Sequence, residues 1–277
     1  MSLTESATAI VVGIDGSDAA VRAAEWAVNE AIGRGLALRL VHVIEPGSEA
    51  VRLEDEYARL ALDTALRAVA AICPDVVVEA AVRRGGIDAV LVEESRCAAM
   101  ICIGSPGDRD AWEGSADDET TAATLTRSAG CPVAIVGVAD CADHEDVAAA
   151  ARCVAVVVDE ASECERLLMH AFTEAELRGC AVLLVQRRRS VSSQHRLDAF
   201  ERLVNRMQAD HSEVEVHLAA VGTDVAAFLA AITASVAVTI VDGVGGQARP
   251  RQRDAFPSHA RWIGVQSLSA ESCATVG

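Results

Sequence analysis

Whatever chemistry this chain performs is done without lysine. All 24 basic side chains are arginine, set against 41 carboxylates, for a formal net charge of −17. That excludes a lysine Schiff base, a pyridoxal-phosphate lysine and the lysine of a G-x-x-x-x-G-K-[ST] phosphate loop. It also argues against a duplex DNA binder, which needs a basic stripe against the phosphates. The polar groups best placed to meet a ligand sit at turns that follow apolar runs. One turn is Asp15-Gly16-Ser17 after Ala9–Ile14; another opens with Gly104-Ser105-Pro106-Gly107 after Ala98–Ile103. A carboxylate at a strand end either caps the turn into the next helix or meets a ligand, and glycines there serve tight turns.

Other reactive types do not assemble. His42 lies within a strand pattern and reads as a satisfied core histidine; His211 and His217 lack a partner at metal-ligand spacing, so no metal site is expected. Cys97 and Cys102 read as packing residues, and Glu54-Asp55-Glu56 and Glu93-Glu94 as solvated helix faces. Arg187-Arg188-Arg189 is a basic cluster in a loop, solvated or touching an anion or partner. The run Gly243 to Ala248 matches G-x-G-x-x-A, but Arg249-Pro250-Arg251 follows it where a dinucleotide site needs a helix. No Ser/His/Asp or Cys/His set stands out, so no enzyme is expected.

The elements that must carry these turns follow from hydrophobic period and turn chemistry. Strands are predicted over 9–15, 36–44, 76–82, 98–103 and 131–136. Helices are predicted from Ser17 or Asp18 to about Ile32, then over 51–72, 87–96 and 120–128. Thr120 stands where the last of these needs an N-cap. Alternating strands and helices of this length make a parallel sheet covered on both faces. Ligands bind such sheets beyond the carboxyl ends of the strands, where strand order reverses. Asp15-Gly16-Ser17, Val43-Ile44 and the loop from Gly104 belong there.

The pattern occurs twice. At an offset of 144 residues Asp15 maps to Asp159, Glu30-Ala31 to Glu174-Ala175, Arg34-Gly35 to Arg178-Gly179 and Leu40-Val41 to Leu184-Val185. Further strands are predicted over 154–158, 214–221, 236–241 and 262–265, with helices over 197–207 and 224–234. Two domains are therefore expected, 1–140 and 141–277, joined by the acidic, alanine-rich run 139–151. The first holds 11 arginines against 23 carboxylates, the second 13 against 18. Hydrophobic residues make up 51% and aromatic ones only 3%, so the core must be aliphatic. Nine cysteines without a C-x-x-C, a polar opening without a signal peptide, and no apolar run of about 20 residues predict a cytoplasmic protein that neither spans nor binds a membrane.

Val11-Val-Gly-Ile-Asp-Gly-Ser17, Leu40-Val-His-Val43, Cys102-Ile-Gly-Ser105 and Gly130-Cys-Pro-Val-Ala-Ile-Val136 together resemble the universal stress protein family, in its tandem two-domain form. The resemblance implies two Rossmann-like (adenine nucleotide α-hydrolase-like) domains, each a five-stranded parallel sheet of order 3-2-1-4-5 with helices on both faces. It implies a stress-response regulator rather than a catalyst. One branch of the family binds ATP through G-x2-G-x9-G-[ST], a loop whose backbone amides cradle phosphate. Carried over, Asp15 meets the adenosine, Val43 meets the adenine through its backbone, and Gly104 and Gly107 meet the phosphates, with or without Mg²⁺; Gly16, Thr120 and Thr121 complete the nucleotide-binding set.

The third element of that signature departs: the family's Gly-[ST] falls on Glu119-Thr120, with eleven residues between Gly107 and Glu119 rather than nine, and the alternative, Gly114-Ser115, follows after only six. Asp117-Asp118-Glu119 then stand beside the phosphates, where like charges repel unless Mg²⁺ intervenes. The alternative reading is an interaction module that binds no nucleotide, with the second domain degenerate. Fifth strands pair across dimers in this family, so the resemblance implies a homodimer or an intrachain pairing of the two domains through 132–138 and 262–265.

Overall fold

The computed structural model describes residues 9–47, 51–105, 120–137, 153–158, 164–187, 194–222, 224–232, 235–242 and 261–265. Its first half runs β1 (Ala9–Gly13), α1 (Asp18–Arg34), β2 (Ala37–Ile44), α2 (Val51–Ile72), β3 (Val78–Arg84), α3 (Ile87–Ser95), β4 (Ala98–Gly104), α4 (Thr121–Ser128) and β5 (Val133–Val136). The second half runs β6 (Cys153–Val158), α5 (Cys164–Arg178), β7 (Ala181–Arg187), α6 (Gln194–Asp210), β8 (Val216–Val221), α7 (Val225–Ile232), β9 (Val236–Asp242) and β10 (Arg261–Val265). The expected division at 140/141 and the loop holding Gly107, Gly114 and Glu119 lie outside the described residues.

All ten strands form one sheet, in the order β3-β2-β1-β4-β5-β10-β9-β6-β7-β8. Each half has the order 3-2-1-4-5, as expected, and its strands are parallel. The halves meet where β5 and β10 pair antiparallel, with Ile135 opposite Trp262 and Ala134 opposite Ile263. Of the two pairings the resemblance allowed, the one within the chain is present.

Period-2 alternation decides which helices cover which face. Ile10, Val12, Leu38, Leu40, Met100 and Cys102 turn to one face and pack with α1 and α2; Val11, Val41, Ile101 and Val133 turn to the other and meet Leu91 of α3 and Leu125 of α4. The first face continues without a break into the second half, where Val154, Val156, Leu168 and Phe172 join the same core. On the opposite face of the second half, Ala155, Val157 and Val185 pack with Val225 and Leu229 of α7. No helix among the described residues is long and apolar enough to cross a membrane.

Helix α1 shows how local sequence fixes a long element. The Ser17 hydroxyl caps it by accepting from the Ala20 amide at 3.2 Å. Alanines at 20, 23, 24, 27 and 31 make the inner stripe, thin enough to lie close on the sheet. Gly35, at φ 64°, ends the helix in the left-handed conformation.

The C-terminal end of α1 meets the equivalent end of α5 above the β5–β10 seam. Arg34 is paired with both Glu30 and Glu174, and Arg178 with both Glu174 and Glu30. The four groups are related by the 144-residue repeat, so each half gives one acid and one base to its counterpart. Glu30 and Glu174 are buried to 2% and 0% exposure. Two carboxylates and two guanidinium groups cancel, which is the condition for holding ions out of water. Arg178 also lies over the Trp26 ring, 5.7 Å from its centroid. Burial raises the pKa of Glu174, with Glu30 adding to the effect and Arg178 and Arg34 opposing it.

Candidate functional site

The carboxyl ends of β1, β2 and β4 open into a cleft of about 880 Å³. Asp15, Val43, Gly104, Thr120 and Thr121 line it together, so five of the seven site residues read from the sequence share one cavity. Gly107 lies outside the described residues. Gly16 does not line the cavity; it sits beside it under the Tyr57 phenol.

Asp15 takes the turn-capping position: its Oδ1 accepts from the Ser17 amide at 2.8 Å, and the side chain is exposed. Gly16, at φ 91°, is where an added Cβ would collide with the Tyr57 hydroxyl and come within 2.8 Å of Cζ. Gly104 is required for a different reason. A Cβ there would overlap the Ala19 carbonyl group and stand 2.7 Å from the Ala20 nitrogen. The end of β4 therefore lies directly on the first turn of α1, and only a residue without a side chain fits. Thr120 is the N-cap of α4, with Oγ1 accepting from Ala123 at 3.3 Å. Thr121 and Ala122, the first residues of α4, whose amides have no intrahelical acceptor, also line the cleft.

Val43 enters through its backbone. The Val41 carbonyl accepts from the Ile14 amide at 2.8 Å, toward β1, while the Ile44 carbonyl accepts from Gly85 at 3.1 Å, on the β3 side. By alternation the amide and carbonyl of Val43 point toward β1, whose ladder stops at Gly13. They face the opening, as an edge that a planar ring with a donor and an acceptor could read.

His42 is buried and also borders the cleft. Its Nδ1 lies 2.7 Å from the Ile14 carbonyl oxygen and must donate to it, so the expected satisfied core histidine is what the structure holds. Tyr57 is the residue sequence reasoning missed. Its hydroxyl donates to the Asp15 carbonyl at 2.9 Å, and its ring meets His42 edge-on at 5.9 Å. The available signal was an apolar row at 53, 57 and 60, outside the buried stripe of Ala58, Ala61, Leu62, Ala65 and Val69.

The charges of the cleft have one sign. Asp15, Glu45 and Glu54 line it, and no arginine does among the described residues. Nearby arginines are taken by other partners: Arg84 meets Asp55 at 2.5 Å, and Arg83 meets Glu94 at 2.7 Å. The expectation that Glu54 to Glu56 and Glu93-Glu94 form solvated faces holds for Glu56 and Glu93, which are exposed, and is corrected for Glu54 and Glu94. Glu54 borders the cleft, and Glu94 is held between Arg39 and Arg83 at 14% exposure. No group of three or more His, Cys, Asp or Glu side chains suited to a metal ion occurs among the described residues.

Comparison with known proteins places this architecture. The profile of the universal stress protein family matches residues 7–137. Universal stress protein Rv2624c of Mycobacterium tuberculosis is 36% identical over 252 residues, 90% of each chain. Universal stress protein Rv3134c of the same species is 44% identical over 184 residues; the match spans 65% of this chain and 65% of that one. Among solved structures, a universal stress protein from Archaeoglobus fulgidus superposes with a TM-score of 0.71 at 15% identity, covering 96% of this chain and 98% of the other. Two halves of order 3-2-1-4-5, a profile over the first and a relative matched along nine-tenths of the length lead to one conclusion: the chain belongs to the universal stress protein family.

Proposed function

We propose that this protein is a cytoplasmic stress-response regulator that binds an adenine nucleotide in the cleft of its first domain, residues 1–140, without turning it over. The observation that carries the reading is the backbone edge of Val43, directed past the end of β1 into a largely apolar cavity that also holds Asp15. A purine base needs such a donor–acceptor edge and apolar walls. The α4 N-terminus supplies amides for phosphate oxygens. Mg²⁺ would be expected to accompany the phosphates, since Asp15, Glu45 and Glu54 repel an uncompensated polyphosphate.

Calorimetry with ATP, with and without Mg²⁺, tests this on the wild type and on Asp15→Ala. Saturable heat in the wild type, stronger with Mg²⁺ and reduced in the variant, is the expected result. No heat at millimolar ATP overturns it.

The second reading is an interaction module that takes no nucleotide, with the second domain, 141–277, carrying no site of its own. The one-sign charge of the cleft favours it. A nucleotide-dependent rise in thermal stability counts against this version. A homodimer would have to use a surface other than the β5–β10 seam; sedimentation across a concentration series tests for one.

A further inference from the structure

The aromatic wall of the cleft is not part of the turn-and-glycine pattern that brought the site to notice. We propose that Tyr57 is a ligand-contact residue, the surface on which the base stacks; this rests on the nucleotide reading of the same cleft. Leu53 and Tyr57, one helical turn apart on α2, both line the cavity yet are 67% and 52% exposed. The other face of α2 is spent on the core. These two side chains are apolar area at a ligand cavity that the fold itself leaves uncovered.

The ring is also held in place before any ligand arrives. Its hydroxyl is tied to the Asp15 carbonyl, its edge rests on buried His42, and the missing Cβ of Gly16 leaves room for the phenol. A ring fixed this way loses little freedom when a second ring lies on it. The Val43 edge opens into the same cavity, so a base reading that edge has Tyr57 and Leu53 for walls. With Asp15, Glu45 and Glu54 lining the described cleft and no arginine beside them, affinity comes mainly from the nucleoside.

Tyr57 is the chain's single tyrosine, which gives the test a unique reporter. The full chain carrying 3-fluorotyrosine is titrated with adenosine, ATP and tripolyphosphate, and affinities are measured by calorimetry for wild type, Tyr57→Phe and Tyr57→Ala. Adenosine and ATP should shift the single fluorine resonance, and tripolyphosphate should leave it in place. Tyr57→Ala should weaken adenosine and ATP by the same factor, on the order of tenfold, the range of base–aromatic stacking. Tyr57→Phe keeps the ring and should retain most of the affinity, which separates stacking from any loss of the Asp15 tie. If ATP binds the wild type but Tyr57→Ala stays within about twofold and the resonance is still, Tyr57 is no contact and the proposal fails while the nucleotide reading stands. If neither adenosine nor ATP gives heat with the wild type, both fall.

Discussion

The two ends of helix α1 face opposite situations. At its N-terminus lies the cleft, open to solvent, walled by exposed apolar side chains and bearing carboxylates of one sign. At its C-terminus lies the seam, where Glu30, Arg34, Glu174 and Arg178 are paired and largely hidden. Charge at the seam is satisfied inside the protein; charge at the cleft is left for something outside it. The internal repeat follows the same division. At the 144-residue offset the seam positions match, Glu30 with Glu174 and Arg34 with Arg178. At the cleft the polar match stops at Asp15 with Asp159, while Gly16 falls on Glu160, Val43 on Arg187, Tyr57 on Glu201 and Gly104 on Ala248. A two-fold contact needs the same groups from both sides. A ligand cleft in one half has no such requirement.

Removing a seam charge should give the largest effect. Arg178→Ala leaves a buried carboxylate without one of its partners and should lower stability by about 3–5 kcal/mol in chemical denaturation. A loss under about 1 kcal/mol would show that water reaches the quartet and erase its contrast with the cleft.

Next in size is a pH effect beside the same seam. Burial, together with Arg34 and Arg166, pushes His170 from 6.5 down to about 4. The folded state holds His170 neutral while the unfolded chain takes up its proton. Its contribution is thus complete above pH 6.5 and lost as pH falls toward 4, by about 3 kcal/mol. His170→Gln should flatten the stability profile across that window; an unchanged slope rejects the assignment.

At the other end of α1, Gly104→Ala should cost about 1–3 kcal/mol by forcing β4 off the Ala19 carbonyl, and should weaken ligand binding as the cleft shifts. Thermal unfolding and calorimetry on the same variant read both. The smallest effect is expected from Arg84→Ala. Its pair with Asp55 is surface-exposed, so no more than about 1 kcal/mol is lost.

Much of this was legible in the residue order. The helix over 51–72 and the strand over 98–103 follow from period and turn residues, and the cap at Ser17 is a local interaction three residues long. The third strand runs over Val78–Arg84, two residues later than its apolar run suggests. Strand pairing sets its limits: Leu38 aligns with Val78, and Ile44 with Arg84. What stayed hidden depends on distance along the chain. Glu94 looks solvated until Arg39 and Arg83 arrive from neighbouring strands. Arg34 looks like an ordinary i,i+4 partner of Glu30 until α5 brings Glu174 from 140 residues away. Gly104 reads as a turn glycine because the helix it touches begins some 85 residues earlier.

The pairing of β5 with β10 has one more consequence. Two copies of a single domain joined along such an edge would come apart on dilution, because their contact is bimolecular. Here the second partner is tethered, and its effective concentration is fixed by the linker rather than by how much protein is present. The joint therefore holds at any abundance of the protein. Among the described residues, β3 and β8 are left as the outer edges of the ten-stranded sheet.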